Sequence, residues 1–275
     1  MHLSKPQTQA IIDQINQSKK YRHSGVNEKT IKDLIQQEST PELSDKALLK
    51  AVRRILHNIV APYLGELDYQ TAFKQLENLT DYSIKGSQLR EFCLSILASH
   101  ASSAERLPNL TTFYEQLFKT TGKPNSIIDL ACGLHPFGFP WMGLPLTTRY
   151  SAYDIIQPRI DLLNQFFVQI GLPGDAENRD ILVNPPEQHA DLGLFFKEAH
   201  RFEKRQPGCN RLFWQQLNVD ILAVSLPAVD LTGSHSLLDR HRQLVKSNLS
   251  AQQSVQEVLI GEEIIFLITQ KTAKK

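Results

Sequence analysis

The chain has 275 residues, 41% of them hydrophobic and 21% charged, enough apolar surface to order one large domain or two modest ones, which excludes a disordered, collagen-like or low-complexity protein. Its apolar runs, such as residues 264–268, fall far short of the ~20 residues of a membrane span, and residues 1–22 lack the apolar core of a secretory signal, so a cytoplasmic protein with no membrane partner is expected. The net charge of +1 is unevenly divided: residues 1–60 hold ten Lys and Arg against six Asp and Glu, and the remainder twenty against twenty-three.

Residues 1–105 read as helices. Leu48, Val52, Ile55, Leu56 and Ile59 form the apolar stripe of an amphipathic helix, with Lys46, Lys50, Arg53 and His57 along its other face. Shorter helical patterns at 11–15, 31–35, 72–79 and 89–97 are separated by turn residues such as Pro41, Pro62 and Gly86. A basic head of this kind suits an anionic partner, although a solvated helix face explains the charge equally well.

After Lys123-Pro124-Asn125 the texture changes to short apolar runs alternating with helical segments, the pattern of a parallel α/β sheet. Strands are expected at 126–130, 149–153, 176–179, 192–196, 221–226, 255–259 and 264–269, with helices at 160–169 and 211–217. Residues 260–263 are too few for a crossover helix, so the last two strands should form an antiparallel hairpin. The expected architecture is α/β: a helical domain over 1–105, then a Rossmann-like domain over 106–275 in the seven-stranded methyltransferase variant of the doubly wound fold. Cys93, Cys132 and Cys209 have neither disulfide-framework nor zinc-module spacing, so reduced thiols and no metal are expected.

The first expected strand runs into Asp129-Leu-Ala-Cys-Gly133-Leu-His-Pro136, where Gly133 allows the backbone to approach a ligand at the carboxyl edge of the sheet. Asp154 closes the second strand, where a carboxylate can accept from ribose hydroxyls, and Asp180 follows the third, where one can accept from an adenine amino group. Singly, each acid reads as a strand-end or turn cap. Together with the glycine they outline an adenosine site. The Gly-x-Gly-x-x-Gly of a dinucleotide site is absent, since residues 131–136 read Ala-Cys-Gly-Leu-His-Pro, so S-adenosylmethionine fits better than NAD.

Six segments, Ser18-Lys-Lys-Tyr-Arg22, His100-Ala-Ser-Ser-Ala-Glu-Arg-Leu-Pro108, Phe113-Tyr114, residues 129–136, Trp141-Met-Gly-Leu-Pro145 and Ile260-Gly-Glu-Glu-Ile264, give the chain a family resemblance. It resembles the aminoglycoside-resistance methyltransferases that modify guanine N7 in 16S ribosomal RNA, the guanine(1405)-N(7) type, over nearly its whole length. The resemblance implies S-adenosylmethionine as cofactor, with contacts from His100, Ser102, Ser103, Arg106, Ala131 and Gly133, then Asp154 at the ribose, and Asp180 with Ile181 at the adenine. It makes Arg106 the partner of the methionine carboxylate, a pairing that suits a guanidinium. Taken alone, Arg106 reads as an exposed helix arginine, His100 as a structural histidine and Phe196, the last cofactor contact expected, as a strand core residue.

The resemblance also implies a monomer whose amino-terminal helices dock on 16S rRNA in the assembled 30S subunit. Lys19, Lys20, Arg22, Lys50, Arg53 and Arg54 are the expected docking cations, and Lys197 a further RNA contact or a snorkelling surface lysine. No proton-transfer residue is expected, because guanine N7 already presents a lone pair. Two segments depart from the family pattern: Lys197 is followed by Glu198-Ala-His-Arg201 in place of Thr-Leu-Pro, and Leu226-Pro-Ala-Val-Asp230 replaces a loop carrying a cation and a hydroxyl. Losing positive charge there should weaken or redirect RNA binding. A small-molecule methyltransferase and a non-catalytic ribosome-binding relative are the other readings.

Overall fold

The computed structural model describes residues 4–22, 24–60, 67–230 and 233–270; the expected turn residue Pro62 lies outside them. Helix α1 (Lys5–Asn16) opens on a reciprocal cap in which Ser4 Oγ accepts from Gln7 N and the Gln7 side chain accepts from Ser4 N. With α2 (Glu28–Glu38) and α3 (Asp45–Val60) it closes a small core. Leu48, Val52, Leu56 and Val60 of α3 meet Ile12, Ile15, Ile31 and Leu34 there, and Ile156 from the sheet region completes it.

Helices α4 (Tyr69–Glu77), α5 (Ser87–Ala98), the single turn α6 (Ala101–Ala104) and α7 (Leu110–Thr121) come next. Leu76, Phe92, Ile96, Phe113 and Leu117 from this run share one apolar cluster with sheet residues such as Ile127 and Leu194. The apolar cores therefore part near residue 60 rather than 105. Periodicity alone shows that α4 and α5 are amphipathic but not which core receives their apolar faces.

Seven strands, β1 (Ser126–Leu130), β2 (Arg149–Asp154), β3 (Gly174–Asn178), β4 (Ala190–Phe196), β5 (Val219–Pro227), β6 (Gln253–Ile260) and β7 (Glu263–Gln270), lie in the order β3-β2-β1-β4-β5-β7-β6. All pairings are parallel except those of β7, which runs against both neighbours. Strands β1 and β4 are buried almost throughout, as central strands covered on both faces must be. The expected hairpin is present, turning at Gly261 with φ +57°. Helices α8 (Gln157–Ile170), α9 (Ala199–Arg205), α10 (Cys209–Gln216) and α11 (Leu238–Asn248) complete the layers. Neither α9 nor α11 is legible as an apolar stripe, since both are dominated by charged and polar residues.

The amino-terminal helices are stitched to the sheet edge. Val26 bridges Ile156, Asn27 Nδ2 donates to the Asn178 carbonyl (2.6 Å), and Asn178 Nδ2 donates to the Gly25 carbonyl (2.9 Å). Gly25 has φ +52°, and a Cβ there would lie 2.5 Å from Gln157 Cβ, so the close approach requires glycine. Among the described residues no helix is long and apolar enough to cross a membrane.

Candidate donor site at the carboxyl edge of the sheet

Beyond the carboxyl ends of β1, β2 and β4 lies a cleft lined by residues from all three strand ends. The structure brings all ten expected cofactor residues to its walls. The chain leaves β1 through Ala131 at φ +52° and Gly133 at φ +56°, and leaves β4 through Lys197 at φ +61°. Two non-glycine residues in the left-handed region at strand ends of one cleft mark backbone held in place by its surroundings, at a cost of roughly 1–3 kcal/mol each.

Asp154 is buried at the end of β2. Its Oδ2 accepts from Gly133 N (3.1 Å) and Arg159 Nη1 (2.7 Å), and its Oδ1 from Ile156 N (3.1 Å). The carboxylate thus fixes the glycine turn and faces the cleft with acceptor capacity remaining on Oδ1. Arg159 had no part in the sequence expectations. It sits in the first turn of α8, where a cation opposes the helix dipole and calls for a compensating anion, a signal available in the sequence. Tyr69 Oη accepts from Arg159 Nε at 3.2 Å.

Asp180 is buried as well: its Oδ1 caps Leu182 N (3.1 Å) and its Oδ2 accepts from Arg205 Nη1 (2.8 Å). Ile181 and Phe202 supply apolar wall beside it. His100, buried, lies against Gly133, and its Nδ1 shares a hydrogen bond with Ser102 Oγ (2.7 Å). Burial, reinforced by Arg159, lowers the His100 imidazole to about 4, which keeps the ring neutral at physiological pH. Ser103 is buried in the same turn.

Arg106 is not an exposed helix arginine. It is buried between the Phe113 and Phe196 rings, at 4.7 and 4.5 Å from their centroids. Its Nε and Nη2 donate to the two Glu263 oxygens at 2.6 and 2.7 Å, and Nη2 also reaches Ser225 Oγ. Burial would raise the Glu263 carboxyl, but Arg106, with help from Lys197, overrides it and holds the group near 2. Glu263 stands in the quoted family motif, yet nothing in the sequence places it 157 residues away against Arg106.

Lys197, expected to touch RNA or snorkel at the surface, does not snorkel: it is a cleft-wall residue 8% exposed, and its ammonium contacts Glu105, the Ser102 carbonyl (3.3 Å) and Glu263 (3.3 Å). Its left-handed backbone turns the chain out of β4 and leaves the ammonium among these acceptors. Tyr114, His135, Asp129 and Tyr150 form a buried chain that reaches the cleft at Asp129 and His135: Tyr114 Oη to His135 Nε2 at 2.9 Å, His135 Nδ1 to Asp129 at 2.7 Å, and Tyr150 Oη donating to Asp129 at 2.7 Å.

The amino-terminal cations lie elsewhere. Lys19, Lys20, Arg22, Lys50 and Arg54 are exposed, and Lys20 contacts His57 across the helix pair. Arg53 is half-buried and donates to the Gln14 carbonyl at 2.9 Å, so part of its donor capacity serves the helical core.

A seven-stranded sheet with one reversed strand, a glycine turn after β1 and buried acids at the ends of β2 and β3 define a Rossmann-like methyltransferase of the S-adenosylmethionine-dependent class. The model of the ribosomal RNA methyltransferase (FmrO) family matches residues 17–266, and the chain belongs to that family. It is similar to the 16S rRNA (guanine(1405)-N(7))-methyltransferase of Micromonospora echinospora, 28% identical over 264 residues that cover 94% of this chain and 96% of that protein. The protein of the same name from Proteus mirabilis is 25% identical over 240 residues, covering 82% and 84%. Among solved structures, the 16S rRNA methylase RmtB shares a TM-score of 0.79 at 26% identity, with 96% and 98% coverage. RmtF in complex with S-adenosyl-L-homocysteine shares the fold at a TM-score of 0.80 and 23% identity, with 98% and 100% coverage.

Proposed function

We propose that this protein transfers a methyl group from S-adenosylmethionine to guanine N7 of 16S rRNA in the 30S subunit, at the nucleotide its relatives' name gives, guanine 1405, acting as a cytoplasmic monomer. The observation that carries the reading is the pair of buried carboxylates, Asp154 and Asp180, facing one cleft across the Gly133 turn in a chain matched to the rRNA methyltransferase family over residues 17–266.

The residues fit the cofactor. A glycine at φ +56° leaves the backbone open toward the cleft, two fixed carboxylates suit ribose hydroxyls and an adenine amino group, and apolar Ile181 and Phe202 suit a flat base. Asp154 would take the ribose and Asp180 the adenine. Arg106, whose Nε and Nη2 are committed to Glu263, has Nη1 to offer to an amino-acid carboxylate. When bound, S-adenosylmethionine supplies a methyl group made electrophilic by a sulfonium.

Guanine N7 carries its own lone pair, so no side chain needs to remove a proton. The chain's contribution is alignment: fixed partners on rigid strand ends hold the donor half of the site, and such positioning can be worth roughly 7–11 kcal/mol of barrier. Exposed cations on α3 and in the segment after α1 supply phosphate contacts that place the RNA. The target base must leave its stack to reach the cleft, costing a few kcal/mol that those contacts offset.

The test is incubation of the purified protein with labelled S-adenosylmethionine and, separately, assembled 30S subunits, naked 16S rRNA and a small-molecule panel. Label in 30S rRNA that yields strand cleavage at one guanine after borohydride and aniline treatment is the expected result. Cofactor binding without label in any RNA would overturn the acceptor and leave the donor site standing. Aminoglycoside resistance in an expressing host is the corresponding cellular result.

A further inference from the structure

One guanidinium joins two carboxylates that lie far apart in the chain. Arg205, at the end of α9, donates through Nη1 to Asp180 Oδ2 (2.8 Å) and through Nη2 to Asp33 Oδ2 (2.9 Å). Its side chain is 7% exposed, that of Asp180 2% and that of Asp33 23%. Asp33 belongs to α2, in the amino-terminal helical core, whereas Asp180 lines the donor cleft. A buried carboxylate needs a partner, and the partner's geometry decides which lone pairs remain for a ligand. Asp180 has Oδ1 turned to the Leu182 amide and Oδ2 to Arg205, which fixes the carboxylate plane. Arg205 in turn is oriented by Asp33, because a planar guanidinium bound at both Nη groups has little freedom to rotate.

We propose that Arg205 is a positioning residue that, held by Asp33 of the amino-terminal helices, aims Asp180 at the 6-amino group of the cofactor's adenine and so sets its selectivity for adenine. This rests on the reading of Asp180 as the adenine contact. The helical unit then contributes to the donor site as well as to docking: α2 steadies the carboxylate through one intervening arginine.

Calorimetric titration with S-adenosylhomocysteine and with its 6-oxo analogue, S-inosylhomocysteine, tests the idea. The analogue presents an acceptor where adenine presents a donor, so a fixed carboxylate rejects it. The parent should prefer the adenine ligand by roughly ten- to a hundredfold, the range of a hydrogen bond to a charged group. Asp180→Asn should bring the ratio close to one. Arg205→Lys, which keeps the charge but cannot reproduce the planar two-pronged geometry, and Asp33→Asn, at a partly exposed position, should each lower the ratio by about three- to tenfold. A general loss of stability lowers both affinities together and leaves the ratio alone, and melting curves confirm that each variant is folded. A ratio that collapses in Asp180→Asn but stays at the parent value in the other two variants overturns the positioning role while leaving Asp180 at the adenine. A ratio lowered by Arg205→Lys alone overturns the tie to α2. A ratio indifferent to Asp180→Asn overturns both the proposal and the reading beneath it.

Discussion

Asp154 serves the fold and the site at once, because the oxygen that accepts from Gly133 N also holds buried Arg159. Asp154→Ala should weaken S-adenosylmethionine binding by about 1.5–3 kcal/mol, measured by calorimetry, and should also lower the melting temperature, since Arg159 is left buried without its anion. Unchanged affinity in a folded variant would remove Asp154 from the site. Buried His100 and half-buried His200, in α9, add a pH dependence. His100 and His200 are both lowered from 6.5 to about 4, chiefly by burial, so the folded state resists the protonation that the unfolded chain accepts. Their stability contribution is complete above pH 6.5 and is lost as pH falls toward 4. Melting temperature should therefore decline across that window, and His100→Gln should flatten the decline. At this scale the acids are legible in the sequence, and of their arginines only Arg159, a cation in the first turn of a helix, leaves a signal there. Asp154 and Asp180 are legible because strand ends are legible, whereas Arg205, in the last turn of α9, looks like an ordinary complement to the helix dipole.

The loop from β5 to α11 holds one of the two segments expected to depart from the family pattern. Asp230 is not a bare charge turned toward a substrate. Its Oδ1 accepts from Ser234 N (2.9 Å), its Oδ2 shares a hydrogen bond with His235 Nδ1 (3.1 Å), and Val229 bridges Ser236, so the acid closes its own loop. Serine at this position can still accept from the loop backbone. Val229→Arg combined with Asp230→Ser should raise methylation of 30S subunits and steepen the salt dependence of binding by a slope of about one, the signature of one more phosphate neutralised. If filter binding across a salt series shows the parent's slope, the loop does not meet RNA. Strand and hairpin positions were legible from apolar runs and spacing. The cap within this loop was not, because it joins Asp230 to residues four and five positions on through hydrogen bonds that hydropathy does not register.

Across the whole molecule, the exposed amino-terminal cations and the cleft lie apart, so the proposed docking and donor roles can be tested separately. Lys19 and Arg22 stand exposed at the end of α1, away from the cleft walls, and Lys20 beside them is partly engaged by His57 and the Tyr21 ring. Changing Lys19, Lys20 and Arg22 to Glu should weaken 30S binding and lower its salt slope by about one for each phosphate that is no longer neutralised, while S-adenosylmethionine affinity stays at the parent value. Filter binding and calorimetry read the two quantities separately. A variant with unchanged slope and affinity for 30S would mark these cations as solvated helix surface. The cleft was legible as a set of residues, all ten of which line it, but its wiring was not: Arg106 meets Glu263 across 157 residues of chain, and no local pattern encodes a contact of that span.

The placement of β7 bears on how the molecule comes into being. Among the described residues it is the last strand in chain order, yet it lies inside the sheet between β5 and β6, and it begins with Glu263, the counter-charge of Arg106. During synthesis the helical core of α1 to α3, built almost wholly from neighbouring segments, can begin to assemble early. The cleft cannot. Until β7 inserts, Arg106 would be a buried cation without its anion, so the donor half of the site should form in one late cooperative step together with the closing of the sheet. A chain in which β7 has yet to dock would then lack the means to bind the cofactor, and competence to methylate would arise with the closing of the sheet.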